Sequence, residues 1–520
     1  MIRSDVPTRG ELLRASLVFF LLIAATAWAR PLMLPDEGRY AGVAWEMLRS
    51  GDWATPMLDG LPFFHKPPLF YWITAAAMGL FGVHEWTARA ASMLGAWLAV
   101  TALYTFAWRW GGRSLARLAA TALLAQPLFF LGGQFANLDM LVAGCISATI
   151  LLAGHAALLR GAALPYKRAL AGAYVFAGLG VLAKGLIGLV LPGMVIVAWL
   201  LATLRWRTLL ALLWWPGLLL MLAITAPWFI VMQNKFPDFL HYFFVVQHFQ
   251  RFTGAGFNNV QAWWFYPAAL LLCHVLWLPW LYRIFTPTSL VAARRDPVRA
   301  LMWVWFAVVV VFFSLPKSKL IGYVLPAVPP LVFLLSQSFA ADAKPTPAWR
   351  RWWRGAVALS AGVALAVVAW LSLHPMKSSR ELALALGRQH LVTEPVFMLG
   401  NYDYDVPFYA RLRQPVAIVD AWDDPAVDQT DNWRKEIADA ALFAPARAAQ
   451  TLLTARQLPA SVCAAPLSWV IGAPSQMEAF PFLAAAEVVY RDDTRVLWRV
   501  DKVRAQNAEL LNCAGAPDVG

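Results

Sequence analysis

The chain has 520 residues, 60% hydrophobic and 14% charged, with a formal net charge of +13. Soluble domains carry about 25% charged residues, so this composition excludes an ordinary soluble protein and requires a membrane protein. Its charge is split, with 29 Lys/Arg against 12 Asp/Glu in residues 1–373 and 14 against 18 in residues 374–520, and the excess cations fall in short loops rather than on one face, which argues against nucleic acid as a partner.

From the N-terminus, the apolar run 17–29 lacks a following cleavage-like polar stretch and is expected to stay as the first span. Runs long enough to span lie near 15–34, 89–108, 116–132, 138–159, 169–183, 185–204, 208–231, 263–282, 299–315, 320–339 and 355–373, eleven in all. The pair 169–183 and 185–204 is the least separated, because only Lys184-Gly185 lies between. One set of loops holds 19 Lys/Arg, in clusters such as Arg3, Arg9, Arg14 and Arg350, Arg351, Arg354; the alternate set holds eight. Positive charge favours the cytoplasmic side, so the N-terminus is expected inside and the tail outside, in the periplasm. The eight outside cations are Arg39, Arg49, Lys66, Lys184, Lys235, Arg251, Lys317 and Lys319. They read either as solvated loop charges or as a pocket for an anionic headgroup.

The first outside loop, 35–88, mixes acids, Arg, His and Lys between apolar segments, and ionisable groups beside hydrocarbon default to a functional site. Its apolar run 69–82 is too short to span and suggests an interfacial helix, with a second surface helix over 40–48. A second outside loop covers 232–262. The tail, 374–520, alternates strand-like runs (395–399, 416–419, 468–471, 487–490, 495–500) with helix-like runs (381–390, 432–442, 446–456). This predicts a soluble periplasmic α/β module after a helical membrane domain of 1–373. Residues 491–494 read as a hairpin turn. Cys463 and Cys513 fall in the tail, open to a disulfide in an oxidising compartment or to two free thiols.

Several motifs then occur in order: Asp36-Glu37-x-Arg39-Tyr40, Gly51-Asp52-Trp53-x-Thr55-Pro56, Phe64-x-Lys66-Pro67-Pro68-Leu69-x-Tyr71-Trp72, Leu182-Ala183-Lys184-Gly185, His248-Phe249-Gln250-Arg251-Phe252, and Phe313-Ser314-x-x-Lys317-Ser318-Lys319-Leu320-x-x-Tyr323-x-Leu325-Pro326. Together they resemble the bacterial aminoarabinose transferases of lipid A, which belong with the protein O-mannosyltransferases to the GT-C class of membrane glycosyltransferases. The resemblance covers roughly residues 10–340. It implies an enzyme that takes a sugar from undecaprenyl phosphate and places it, with inversion at C1, on lipid A or another lipid or glycan at the outer membrane face, among membrane lipids. Asp36 matches the family's first-loop acid and Asp139 its second. Helix capping is the alternative reading of each, and the membrane-edge setting favours a catalytic role for both. Arg39, Lys66, Arg251, Lys317 and Lys319 would hold the donor phosphate. Glu37, Tyr40, Lys184 and Tyr323 complete the expected site, with Glu37 paired to a local cation.

One position departs from the family. Its members usually carry Glu before the loop lysine, where this chain has His65. The family's metal site would then fall on His65 and His248, which suit zinc but do not close a site by themselves; a solvated histidine pair is the alternative. The change also opens the choice of sugar to a hexose or mannose type, moved to glycan, lipid or protein. A polyprenyl-lipid transporter or flippase is the reading from another class. No internal repeat supports it, and the charges gather at the outer edge rather than the midplane.

Overall fold

The computed structural model describes residues 7–250, 259–341, 346–430, 432–507, 510, 511 and 513. Six of its helices are long and apolar enough to cross a membrane: Ala90–Gly111, Leu138–Gly161, Trp215–Lys235, Pro297–Ser314, Ile321–Ala340 and Pro347–Leu373. Two bent pairs, Arg113–Ala125 with Pro127–Gly133 and Phe265–Cys273 with Val275–Ile284, bring the number to eight if each is one span. Pro127 and Pro279 open the second arm of each bend or lie just inside it, where a missing N–H and a fixed φ interrupt the helical ladder.

The other three expected spans fall on Arg9–Ala24, Lys167–Lys184 and Ile187–Ala202. A helix of 16 residues, the length of the first and third, rises about 24 Å against a hydrocarbon core of about 30 Å. The middle one carries Lys167, Arg168 and Lys184 within its 18 residues. By length and apolarity the described residues therefore supply six spans, or up to eight, where eleven were expected. The narrow gap between the last two helices is a true break. Gly185 has φ +90°, which only glycine adopts freely, and Gly188 lies so close to Gly180 that a Cβ would meet its carbonyl carbon at 2.2 Å. Gly95 and Gly144 bring Ala90–Gly111 and Leu138–Gly161 together in the same way; a Cβ on Gly144 would meet the Gly95 oxygen at 2.3 Å.

Between Arg9–Ala24 and Ala90–Gly111, the chain builds a surface layer. The Asp36–Ser50 helix opens on two acids, closes on Arg49, and stops at Gly51 with φ +73°. It starts four residues earlier than the periodicity of 40–48 suggests, because Asp36 and Glu37 both favour a first turn. A hairpin follows, β1 (Met57–Leu58) with β2 (Leu61–Pro62), turned by Asp59-Gly60 with φ +53° and +76°. Asp-Gly is the preferred pair for such a two-residue turn, a signal passed over in the sequence. The Leu69–Phe81 helix ends at Gly82, as its composition predicts.

The tail folds as one six-stranded sheet in the order β5-β4-β3-β6-β8-β7. β3 (Val396–Leu399), β4 (Ala417–Val419), β5 (Leu452–Leu453) and β6 (Leu467–Gly472) are parallel; β8 (Val496–Asp501) and β7 (Glu487–Arg491) continue antiparallel. The hairpin at 491–494 joins β7 to β8. β5 was missed: the helix expected over 446–456 stops at Thr451, and Leu452–Leu453 adds to the sheet edge. Cys463 and Cys513 form a disulfide.

Candidate active site

The two candidate acids come together through a residue that sequence reasoning overlooked. Asn137 caps the Leu138–Gly161 helix, its Oδ1 accepting the Asp139 N–H at 2.9 Å. Its Nδ2 donates to Asp36 Oδ2 at 3.0 Å. One side chain thus orients both acids, and Asn-Leu-Asp at a helix start was the available signal. The Asp36 carboxyl is raised above its usual value, first by burial and further by the Asp139 and Glu436 charges, against Arg39 and the Asn137 hydrogen bond. A raised pKa makes a better proton acceptor. Asp36 is also the more open acid, with 31% of its side chain exposed.

Asp139 is nearly buried and paired with Lys184, whose ammonium also lies 4.3 Å from the centre of the Tyr323 ring. Gly322 makes room: a Cβ there would meet Asp139 Oδ2 at 2.3 Å. The family pieces around Lys184 and Tyr323, far apart in sequence, thus converge on the second acid.

Glu37 has a different setting. It is fully buried, with Arg30 Nη1 at 2.5 Å from Oε2 and Arg89 Nε at 2.8 Å from Oε1. The Met33 and Ala136 N–H groups also donate to it, at 3.0 and 2.9 Å. Burial pushes its carboxyl up, but Arg89 and Arg30 outweigh burial and hold it at about 2. Arg30 Nη2 donates to the Gln134 carbonyl, and Arg89 binds the carbonyls of Ala27, Arg30 and Pro31. The expected local pairing of Glu37 is therefore a scaffold joint, and Arg89 lies 52 residues away.

Arg39 forms an ion pair with Glu436 of the tail at 3.0 Å and a longer one with Asp36 at 3.5 Å. Its guanidinium faces the Tyr404 and Tyr40 rings, at 5.1 and 5.7 Å. Tyr40 is buried against Phe70 and Tyr71. Lys66 is half-buried and Lys317 exposed. Lys319 is buried, its ammonium donating to the Gln261 and Pro316 carbonyls, where it ties 259–261 to 317–319. Its donors are thus largely committed to backbone. Arg251 lies outside the described residues, as does the side chain of His248.

His65 is buried, 3.6 Å from Asp439 Oδ2 and stacked on Tyr242. The Tyr242 hydroxyl donates to the same carboxylate oxygen at 3.1 Å. Among the described residues no group of three His, Cys, Asp or Glu side chains could hold a metal. The described residues alone do not make the closed four-ligand set zinc prefers. Beside this layer lies an open apolar cleft of about 390 Å³, lined by Trp53, Ala54, Trp72, Pro227, Trp228 and Val231.

The family model described as dolichyl-phosphate-mannose-protein mannosyltransferase matches residues 65–231. An undecaprenyl phosphate-α-4-amino-4-deoxy-L-arabinose arabinosyl transferase of Sodalis glossinidius is 36% identical over 333 residues, covering 61% of this chain. The chain spans only 57% of that relative's length. The namesake from Aeromonas hydrophila is 31% identical over 389 residues, covering 71% of this chain and 68% of the relative. Among solved structures, ArnT from Cupriavidus metallidurans bound to undecaprenyl phosphate superposes with a TM-score of 0.77 at 25% identity, over 94% of this chain and 97% of that one. The fold is therefore that of a multi-pass GT-C membrane protein.

Proposed function

Since the chain belongs to the undecaprenyl phosphate-α-4-amino-4-deoxy-L-arabinose arabinosyl transferase family, we propose that it moves this sugar from undecaprenyl phosphate to lipid A at the periplasmic face of the bacterial inner membrane. The observation that carries the reading is the Asp36–Asn137–Asp139–Lys184 constellation, set at the start of a membrane helix beside a layer of cations. The eleven-span count and an inside N-terminus, with residues 374–520 as a separate periplasmic domain, belong to the same proposal. They are supported by the loop-charge bias and by the helices that occupy all eleven stretches.

The acceptor oxygen attacks C1 of the sugar, the C1–O bond to the phosphate breaks, and its electron pair stays on undecaprenyl phosphate. A single displacement inverts C1. Charge grows on the leaving phosphate, so cations held nearby lower the barrier. Arg39, Lys66 and Lys317 take that task. Lys319 is the weaker candidate because two carbonyls already hold it. A hydroxyl acceptor gives its proton to Asp36; an acceptor phosphate has none to lose and uses Asp36 to orient the sugar. Asp139, neutralised by Lys184, positions rather than deprotonates. If zinc binds, His65 and His248 would hold it, with Asp439 the nearest described carboxylate to His65.

The test is mass spectrometry of lipid A from cells lacking the gene, complemented with wild type or Asp36→Asn. An adduct of aminoarabinose mass, restored by wild type alone, is expected. An unchanged spectrum rejects lipid A as acceptor. A hexose-sized adduct favours the second reading, a hexosyl transferase, which His65 in place of the usual Glu and the mannosyltransferase model over 65–231 support.

A further inference from the structure

The tail enters the site through one helix. Trp433–Ala441 is capped by Asn432, whose Oδ1 accepts from the Arg434 and Lys435 N–H groups. It packs against β2 of the first-loop hairpin. Just past its end, Phe443 inserts into an aromatic cluster, with ring centres 4.8 Å from Phe64, 5.2 Å from Tyr242 and 6.2 Å from Phe236. This apolar anchor fixes the helix on the first loop.

Two acids then lie one turn apart, and residues three apart share a helix face. Glu436 Oε2 meets Arg39 Nε at 3.0 Å and accepts the Tyr404 hydroxyl at 2.9 Å. Asp439 Oδ2 faces His65 at 3.6 Å and accepts from Tyr242. The helix thus grips the first loop at two of its candidate site residues.

We propose that Glu436 is the positioning residue for Arg39, aiming its guanidinium at the phosphate of the lipid donor, so that the tail's helix is a working part of the donor site. This rests on the donor-phosphate reading of Arg39 given above. A guanidinium presents five N–H donors in a rigid fork. Glu436 takes the Nε edge, and the Tyr404 and Tyr40 rings flank the plane. Those constraints fix the guanidinium plane and hold Nη1 3.5 Å from Asp36 Oδ1, beside the candidate acid, where a phosphate oxygen can take over that long contact. Without Glu436, Arg39 would close its 3.5 Å contact with Asp36, the other acid beside it.

The experiment measures undecaprenyl phosphate binding to the purified full chain in lipid nanodiscs. Wild type, Arg39→Ala, Glu436→Gln and the double variant form a double-mutant cycle. Glu436→Gln should weaken binding roughly tenfold, the scale of losing one buried ion-pair partner that orients a guanidinium. It should add nothing once Arg39 is gone, and Glu436→Asp should restore most of the binding. A merely structural lesion would weaken the Arg39→Ala protein further. Tyr404→Phe removes the hydroxyl that holds Glu436 but keeps its charge; it repeats the test if Glu436→Gln does not fold, with a smaller loss expected. Unaltered binding by both Glu436→Gln and Tyr404→Phe, or additive losses in the cycle, overturns the positioning role. If Arg39→Ala still loses binding in that case, the donor reading stands. A wild type that does not bind undecaprenyl phosphate overturns both.

Discussion

Neighbouring acids diverge here because of what surrounds each. Asp36 keeps part of its side chain in solvent and is held only by the Asn137 hydrogen bond and a 3.5 Å contact with Arg39, which leaves it open to a substrate. Glu37 points the other way, into two guanidiniums and two backbone N–H groups. Breaking a buried charge pair by removing one partner costs about 3–5 kcal/mol, because the remaining charge is left unpaired. Glu37→Gln is expected to lower the stability of the purified protein by that order, read as a drop in thermal midpoint, whereas Asp36→Asn should leave the midpoint near wild type and abolish transfer. The sign with pH follows from the depressed pKa: the Glu37 contribution is present above the ordinary carboxylate range and is lost as pH falls toward about 2. Asp36 and Asp139 were legible from their place at the edge of apolar runs. Arg30 and Arg89 were not, since both fall inside stretches read as spans, 15–34 and 89–108, and neither carries a local sign of its partner. Asn137 was missed because it serves geometry rather than charge.

At the level of elements, the segment after the last membrane helix is held by a buried acid. Asp405 Oδ2 accepts the Ser379 N–H and the Ser378 hydroxyl, both at 2.9 Å, while its Oδ1 is buried with no partner. Gly38 of the first-loop helix packs against the Asp405 backbone, where a Cβ would come within 2.9 Å of its nitrogen. Burial, reinforced by Asp403 and opposed by the serine bonds, pushes the Asp405 carboxyl up to about 7. A carboxyl whose folded pKa is raised binds its proton more tightly when folded. Its stabilisation is therefore full below the unfolded value and falls as pH rises toward about 7, by at most about 4 kcal/mol. The difference in thermal midpoint between wild type and Asp405→Asn should accordingly change between pH 5 and pH 7.5, with wild type losing ground at the higher pH. An identical pH dependence for both proteins would show that Asp405 ionises freely. The strand runs of the tail were readable because buried parallel strands are short and apolar. β5 was not, since two residues carry no periodicity, and the sheet edge rather than the local sequence decides their conformation.

For the whole molecule, the inferred arrangement has a membrane body with the α/β tail lying over its outer surface, and Cys463–Cys513 provides the means to check it. The bond closes a loop across a sequence separation of 50, and an oxidising compartment is what lets such a bond persist. Chain-entropy arguments put its stabilisation at about 4 kcal/mol for a loop of this length. The remaining described cysteines, Cys145 in Leu138–Gly161 and Cys273 in Phe265–Cys273, lie in apolar helices and are at least half-buried. A membrane-impermeant maleimide applied to spheroplasts should therefore leave the protein unlabelled, and should label it after mild reduction without breaking the inner membrane. Cys463→Ser/Cys513→Ser should abolish that labelling and lower the thermal midpoint. Labelling before reduction would mean free thiols, and labelling that appears only after the membrane is opened would put the tail on the cytoplasmic side. The second result would also remove Glu436 from any periplasmic donor site, because the helix that carries it belongs to the same sheet-bearing region as the disulfide. Sidedness and the proposed role of the tail therefore stand or fall on one labelling pattern.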